Sequence, residues 1–186
     1  MSSGIFVIRD NEDLLEMEER AYETEDVLQA LLATHPGLIP GSQIDGSDPR
    51  RWLLICREAG IPGEEDAGGR WSLDHLLVDQ DAIPTLVEVK RSQDTRIRRE
   101  VVGQMLEYAA NASTYWSADT MRERFRATCE ADGADADERL AAFLGDHQAV
   151  DGFWQLAEDN LRAGKLRLVF LADSVPTELQ AIVEFL

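Results

Sequence analysis

The sequence predicts an α/β domain in which a central mixed β-sheet of about four or five strands is flanked by helices, with a helical insertion before the last strand. Three observations predict it. Residues 71–91 hold two apolar stretches separated by a turn centred on Asp81, as a β-hairpin does. Residues 22–32 and 97–109 carry apolar side chains at helical spacing on either side of that hairpin. Residues 165–172 alternate basic and apolar side chains and then run wholly apolar, the pattern of a strand re-entering a sheet.

Taken in order, Gly4–Ile8 is apolar, but it is too short and followed by too many acids for a secretory signal peptide. Thr24 is placed to cap a first helix: acids at 23, 25 and 26 precede apolar residues at 27, 28, 31 and 32, and His35-Pro36-Gly37 stops it. Arg51–Arg57 is a short β-branched and aromatic run suited to a first sheet strand, and Ile61–Gly69 a turn-rich acidic loop leading to the hairpin. With the turn at Asp81, Val78 pairs with Pro84, Leu76 with Leu86 and Asp74 with Glu88. The next helix shows apolar residues at 97, 101, 102, 105, 106 and 109. Residues 117–164 then read as three short helices, over 118–130, 135–144 and 152–162, with Trp116, Phe125 and Trp154 expected to serve the core. Pro176 opens a last helix, whose apolar end without a polar tail suggests a chain truncated at its C-terminus.

A chain of 186 residues with 44% apolar and 29% charged side chains is expected to form one domain, 1–186, that buries a sizeable core. No stretch approaches the roughly 20 apolar residues of a membrane span, so a cytoplasmic protein without membrane partners is expected. Cys56 and Cys129 lack the spacing of a zinc or redox motif and are read as reduced thiols. His35 and His147 are isolated and take no ligand role. A phosphate-cradling Gly-rich loop and a nucleophile motif are both missing, which disfavours nucleotide and carbohydrate enzymes.

The hairpin places charge where strands normally carry inert side chains. Asp74 faces Glu88, and Lys90 shares the Glu88 face because strand side chains alternate with period two. Directly opposed Cβ atoms lie about 4.5–5.5 Å apart, so two carboxylates there destabilise the ladder unless something compensates. A divalent cation would do so. On the following helix Gln104 and Tyr108 lie four apart, on one face a turn from each other.

Asp74 on one strand and Glu88-Val89-Lys90 on the next resemble the active-site core of the PD-(D/E)XK nuclease superfamily, and Gln104-x-x-x-Tyr108 resembles the signature of its RecB-like branch. Leu73 stands where the superfamily's name calls for proline. The resemblance covers roughly residues 22–110 and matches Glu25, with Glu23 as competitor, to a first-helix glutamate that reaches the metal site. It implies a restriction-endonuclease-like core that hydrolyses DNA phosphodiester bonds. Asp74, Glu88, the Val89 carbonyl and Glu25 would hold Mg²⁺ or Mn²⁺, Lys90 would orient or deprotonate the attacking water, and Gln104 and Tyr108 would steady Lys90 or the scissile strand.

Charge bears on this expectation. With 36 acids against 18 bases the chain carries a formal −18, which on average repels DNA. Yet Lys90, Arg91, Arg96, Arg98 and Arg99 put five bases into ten residues beside the proposed site, with Arg50, Arg51 and Arg57 on the preceding strand. Charges more than about 8–10 Å away are screened, so a locally positive field is expected, with Arg91, Arg96, Arg98 and Arg99 as modest-affinity DNA contacts. The acidic surface and helical insertion also suit a nuclease-like module that no longer cuts and binds a protein partner in a DNA repair or defence complex. A third reading, an acidic DNA mimic, would leave Asp74, Glu88 and Lys90 apart. The oligomeric state is open, a homodimer being compatible.

Overall fold

The computed structural model describes residues 5–8, 14–17, 22–61, 71–90, 100–145 and 150–185. In chain order its elements are strands β1 (Ile5–Ile8) and β2 (Leu14–Met17), helix α1 (Glu25–Thr34), strands β3 (Leu53–Ile61), β4 (Trp71–Val78) and β5 (Pro84–Lys90), helices α2 (Glu100–Tyr115), α3 (Ala118–Ala131), α4 (Ala136–Leu144) and α5 (Phe153–Arg162), strand β6 (Arg167–Ala172) and helix α6 (Thr177–Phe185). The order β3-β4-β5-β6 makes one mixed sheet, antiparallel as far as β5 and parallel between β5 and β6. Parallel neighbours need a long crossover, and α2 to α5 supply it. The fold is therefore α/β, with a mixed four-stranded sheet and six flanking helices among the described residues. No helix of the described residues is long and apolar enough to cross a membrane.

Two elements depart from the sequence reading. β1 and β2 pair as a separate antiparallel hairpin, which four-residue strands are too short to announce by alternation. β3 continues past Arg57, where the sequence reading ends the strand, as far as Ile61, the first residue of the segment read as loop, because Ala59, Gly60 and Ile61 pair with Leu73, Ser72 and Trp71 despite a weak strand composition.

Side-chain alternation sorts the apolar residues into two cores. On one face Ile55, Leu76 and Leu86 pack with Met105 and Tyr108 of α2, Phe125 of α3 and Phe153 of α5. On the other, Leu54, Leu77, Val87 and Val89 meet Leu28 and Leu32 of α1. Each fully buried leucine contributes about 1.5–3 kcal/mol, so Leu32, wholly inaccessible, is a principal anchor of α1. Thr24 caps that helix by accepting the Val27 N–H at 3.3 Å. His75 on β4 adds a polar tie, its Nε2–H donating to the Gln29 carbonyl at 2.9 Å. Cys56 and Cys129 are free thiols, and both are buried.

The outer edge of the sheet is covered by α3. Between Leu54 and Cys56 the β3–β4 register shifts by one residue, a bulge that leaves the Ile55 carbonyl to accept from Thr128 Oγ1 at 2.8 Å. Arg124 donates to the Gly60 carbonyl at 2.6 Å. Occupying these outward carbonyls blunts an edge that otherwise invites another strand.

Asp79 closes the β4–β5 turn. It is fully buried, and its Oδ1 accepts the N–H groups of Asp81 at 3.0 Å and Ile83 at 2.9 Å, while Oδ2 lies 2.7 Å from Arg167 Nη1 on β6. One carboxylate thus fixes the turn and ties the parallel strand to it. Asp79→Ala leaves two amides and a partly buried guanidinium short of their acceptor and is expected to lower stability by about 3–5 kcal/mol, measured by urea unfolding. The His75 imidazole is held by burial at a pKa of about 4, down from 6.5, with Arg57 adding to the fall against the Gln29 bond. Between pH 6.5 and 4 the unfolded chain therefore binds a proton that the folded chain refuses, and stability falls as pH drops through that window. The wild type is expected to lose up to about 1.4 kcal/mol per pH unit there relative to His75→Gln, read from Tm against pH.

Candidate active site

At the end of the hairpin remote from Asp79 the two strands part. The β4–β5 pairing runs from Val78↔Pro84 to His75↔Val87 and stops. One step further the same register sets Asp74 against Glu88, as the sequence predicts, and Asp74 Oδ2 accepts the Val89 N–H at 2.7 Å. Period-two alternation puts Asp74 with Leu76, and Glu88 and Lys90 with Leu86, on the face covered by α2. Lys90 Nζ lies 2.8 Å from Glu88 Oε1. From the opposite face, α1 brings Glu25 over the strand ends, its Oε2 4.0 Å from Lys90 Nζ.

Burial and like charge dominate the electrostatics. Burial raises the Asp74 carboxyl above its ordinary range against the Val89 hydrogen bond and the Lys90 charge, and Glu25 and Glu58 add to the rise. Burial, then the Asp74 charge, likewise raises Glu88 in spite of its bond to Lys90. Burial works against the Lys90 ammonium, but Glu88, Asp74 and Glu25 outweigh it and hold the amine protonated. On α2, Gln104 donates its side-chain amide to the buried Tyr108 hydroxyl, which donates in turn to the Ser72 carbonyl at 3.5 Å. Burial raises the Tyr108 phenol, with the Glu88 and Asp74 charges adding to the rise against Gln104 and Lys90, so it remains a donor. The α2 pair therefore braces the start of β4, two residues before Asp74.

The donor chemistry suits a hard cation. Glu88 is almost wholly buried, and its Oε2 has no hydrogen-bond partner among the described residues. A bare carboxylate oxygen there, beside a second acid, is a costly arrangement that a divalent ion relieves. Mg²⁺ commonly binds through one or two carboxylates and keeps several waters, so Asp74 and Glu88 are a sufficient protein share. Among the described residues no three His, Cys, Asp or Glu side chains gather closely enough to hold a metal on their own, and Glu25 reaches the site through the Lys90 ammonium.

The bases are distributed differently from the sequence expectation. Arg50 lies at the turn end, paired with Asp45 at 3.2 Å, with Asp48 at 2.7 Å and with Asp81, while Arg51 donates to the Phe143 carbonyl at 2.7 Å and stacks over its ring. Neither faces Asp74, because β3 runs antiparallel to β4 and its start lies beside Val78. Arg57 is nearer, held by Asp26 at 3.1 Å and Gln29 at 3.4 Å. Arg91, Arg96, Arg98 and Arg99 lie outside the described residues. Glu58 is the acid that sequence reasoning missed. The bulge at Ile55 shifts the register so that Glu58, rather than Arg57, falls opposite Asp74 between the pairs Arg57↔His75 and Ala59↔Leu73. Its left-handed φ of 49° is a sparsely populated conformation for a residue with a side chain. Nothing in local periodicity announces a bulge.

No family model, no curated protein and no solved structure matches the chain.

A carboxyl with a raised folded-state pKa holds its proton more tightly folded than unfolded, so the folded state loses stability as pH rises through the interval between the two values. Removing the Asp74 charge reverses that loss, and an asparagine oxygen still accepts the Val89 N–H. Asp74→Asn is expected to raise Tm by a few degrees at pH 7 in chelator; a fall would mean that the carboxylate charge holds the site together.

Proposed function

We propose that the protein is a metal-dependent nuclease of the PD-(D/E)XK kind that hydrolyses DNA phosphodiester bonds. The observation that carries this reading is the meeting of Asp74, Glu88 and Lys90 where β4 and β5 part, with one buried Glu88 oxygen that has no partner among the described residues. Asp74 and Glu88 are the residues that would hold Mg²⁺ or Mn²⁺, which when bound supplies Lewis-acid polarisation of a phosphate and a water of lowered pKa.

The remaining roles follow from the chain itself. Lys90, kept protonated by the surrounding acids, serves as a hydrogen-bond donor that orients the attacking water and stabilises charge developing on the phosphate oxygens. Glu25 fixes the ammonium from the α1 side. Gln104 and Tyr108 position Asp74 through Ser72. Arg91, Arg96, Arg98 and Arg99, close in sequence to Lys90, are the proposed backbone contacts, and a cytoplasmic location accords with reduced Cys56 and Cys129.

The net charge of −18 favours a second reading, a nuclease-like interaction module in a DNA repair or defence complex that no longer cuts. The two are separated by incubating purified protein with labelled single-stranded, duplex and branched DNA and Mg²⁺ or Mn²⁺. Under the nuclease reading the doubly substituted Asp74→Asn/Glu88→Gln protein loses at least about 100-fold in cutting while remaining folded, and Lys90→Ala loses a comparable amount. Saturating Mg²⁺ also raises the wild-type Tm, since about 2.7 kcal/mol accrues at a hundredfold excess over Kd. Equal cutting by wild type and Lys90→Ala overturns the assignment; absence of both cutting and thermal shift selects the inactive module.

A further inference from the structure

The β1–β2 hairpin has the composition of an interior strand pair in an exterior position. All of its residues are exposed, and all but Glu16 are apolar. The register sets Ile5, Val7, Leu15 and Met17 on one face, and Phe6, Ile8 and Leu14 with Glu16 on the other. None of them belongs to a core cluster. Continuous β-branched and aromatic runs such as Ile5–Ile8 are typical of strands covered on both faces. A lone two-stranded hairpin is at best marginally stable in water and needs a further strand or a covering layer.

The four-stranded sheet has an opening of matching kind. Its β3 edge is covered by α3, whereas β6 forms the opposite edge and, among the described residues, pairs only with β5. Past Arg167 this strand is apolar on both faces: Leu168 and Phe170 lean on the α2–α3–α5 core, Val169 and Leu171 on the α1 core. Yet all six of its residues are only half-buried, because one flank of the strand is open. Helix α6, which shares a cluster with Phe170, leaves Val183 and Phe185 exposed as well. An edge with a row of unpaired N–H and C=O groups is a template for another strand.

We propose that in solution the β1–β2 hairpin of one copy extends the sheet of a second copy at its β6 edge, and reciprocally, so that two chains form a two-fold, arm-exchanged dimer. A strand entering there lies between two apolar layers and has to be apolar on both faces, as Ile5–Ile8 is. In the structure the hairpin and its own β6 lie in separate sheets, each incompletely covered, so the pairing is not made within one chain. Both complementary surfaces are carried by this chain, and a two-fold exchange uses each of them twice. The hairpin presents on the order of 700 Å² per copy, more than the few hundred Å² a monomer normally leaves contiguous and near the ~800 Å² each partner gives to a stable interface. Copies of a chain with net charge −18 repel, so they meet best through a surface almost free of charge, and Glu16 is the hairpin's one ionisable side chain. Nucleic acid and anionic membranes have no cation to bind on it. The proposal does not rest on the nuclease reading.

The test is sedimentation equilibrium of the purified chain between about 1 and 100 μM, paired with hydrogen exchange of the β6 amides. The wild type is expected to sediment at twice the monomer mass, and rising salt to strengthen the association by screening the repulsion between copies. The doubly substituted Phe6→Asp/Ile8→Asp protein buries charge at the contact and is expected to dimerise at least about 100-fold more weakly, while its β6 amides exchange at least about tenfold faster and those of β5 are unchanged. Thermal melts establish that the variant is folded, and Val7→Asp, on the other face of the hairpin, carries the test should the double variant not fold. A monomer throughout the range overturns the proposal, whether the hairpin then closes on its own β6 or awaits a different protein. So does a dimer that the substitutions leave intact, or one whose β6 amides exchange alike in wild type and variant, the mark of hairpins that meet each other instead.

Discussion

The register of the β4–β5 hairpin is the constraint on which the site depends, and Asp79 sets it. A strand has a side-chain period of two, so a slip of one residue would carry Leu76 and Asp74 to the α1 face and His75 and Leu77 to the α2 face. The buried Asp79 carboxylate prevents this by accepting two turn amides and pairing with Arg167, which also fixes the parallel strand that backs Glu88 and Lys90. A charge locked at one end of the hairpin thus decides which charges meet at the other.

Where the strands part, the protein tolerates an arrangement that folding alone would not select. Two acids are withdrawn from water beside each other, and a single ammonium, itself half-buried, neutralises only part of their charge. Stability comes instead from the apolar layers on both faces, chiefly Leu28 and Leu32 against Val87 and Val89 and the α2–α3–α5 cluster against Leu76 and Leu86. Active sites commonly hold such locally unfavourable charge, supported by the surrounding core.

The strongly acidic composition is a poor guide to the local field. Arg50 and Arg51 are consumed in structural pairs, whereas Arg124 and Arg139, unremarked in the sequence, converge with Arg57 on one groove. A single bulge in β3 turns Glu58 toward the Asp74 position and leaves Arg57 to the α1 side. Charge counted along the chain cannot register such exchanges, since they depend on which face of an element is covered.

Much of the architecture was legible because it is locally encoded. Alternation over 71–91 determined the hairpin and the opposition of Asp74 and Glu88, the acids and Thr24 ahead of Val27 determined the start of α1, and helical spacing determined α2 to α5. The acid pair with Lys90 was therefore readable before any tertiary structure. Tertiary structure alone decided the rest: the two-stranded β1–β2 hairpin, the extension of β3, the bulge that presents Glu58, the approach of Glu25 to Lys90 across the strand ends, and the assembly of a groove from α1, β3 and α3. The reason is physical. Periodicity states which side chains share a face of one element, whereas encounters between layers depend on how those faces pack, and packing is a property of the whole core.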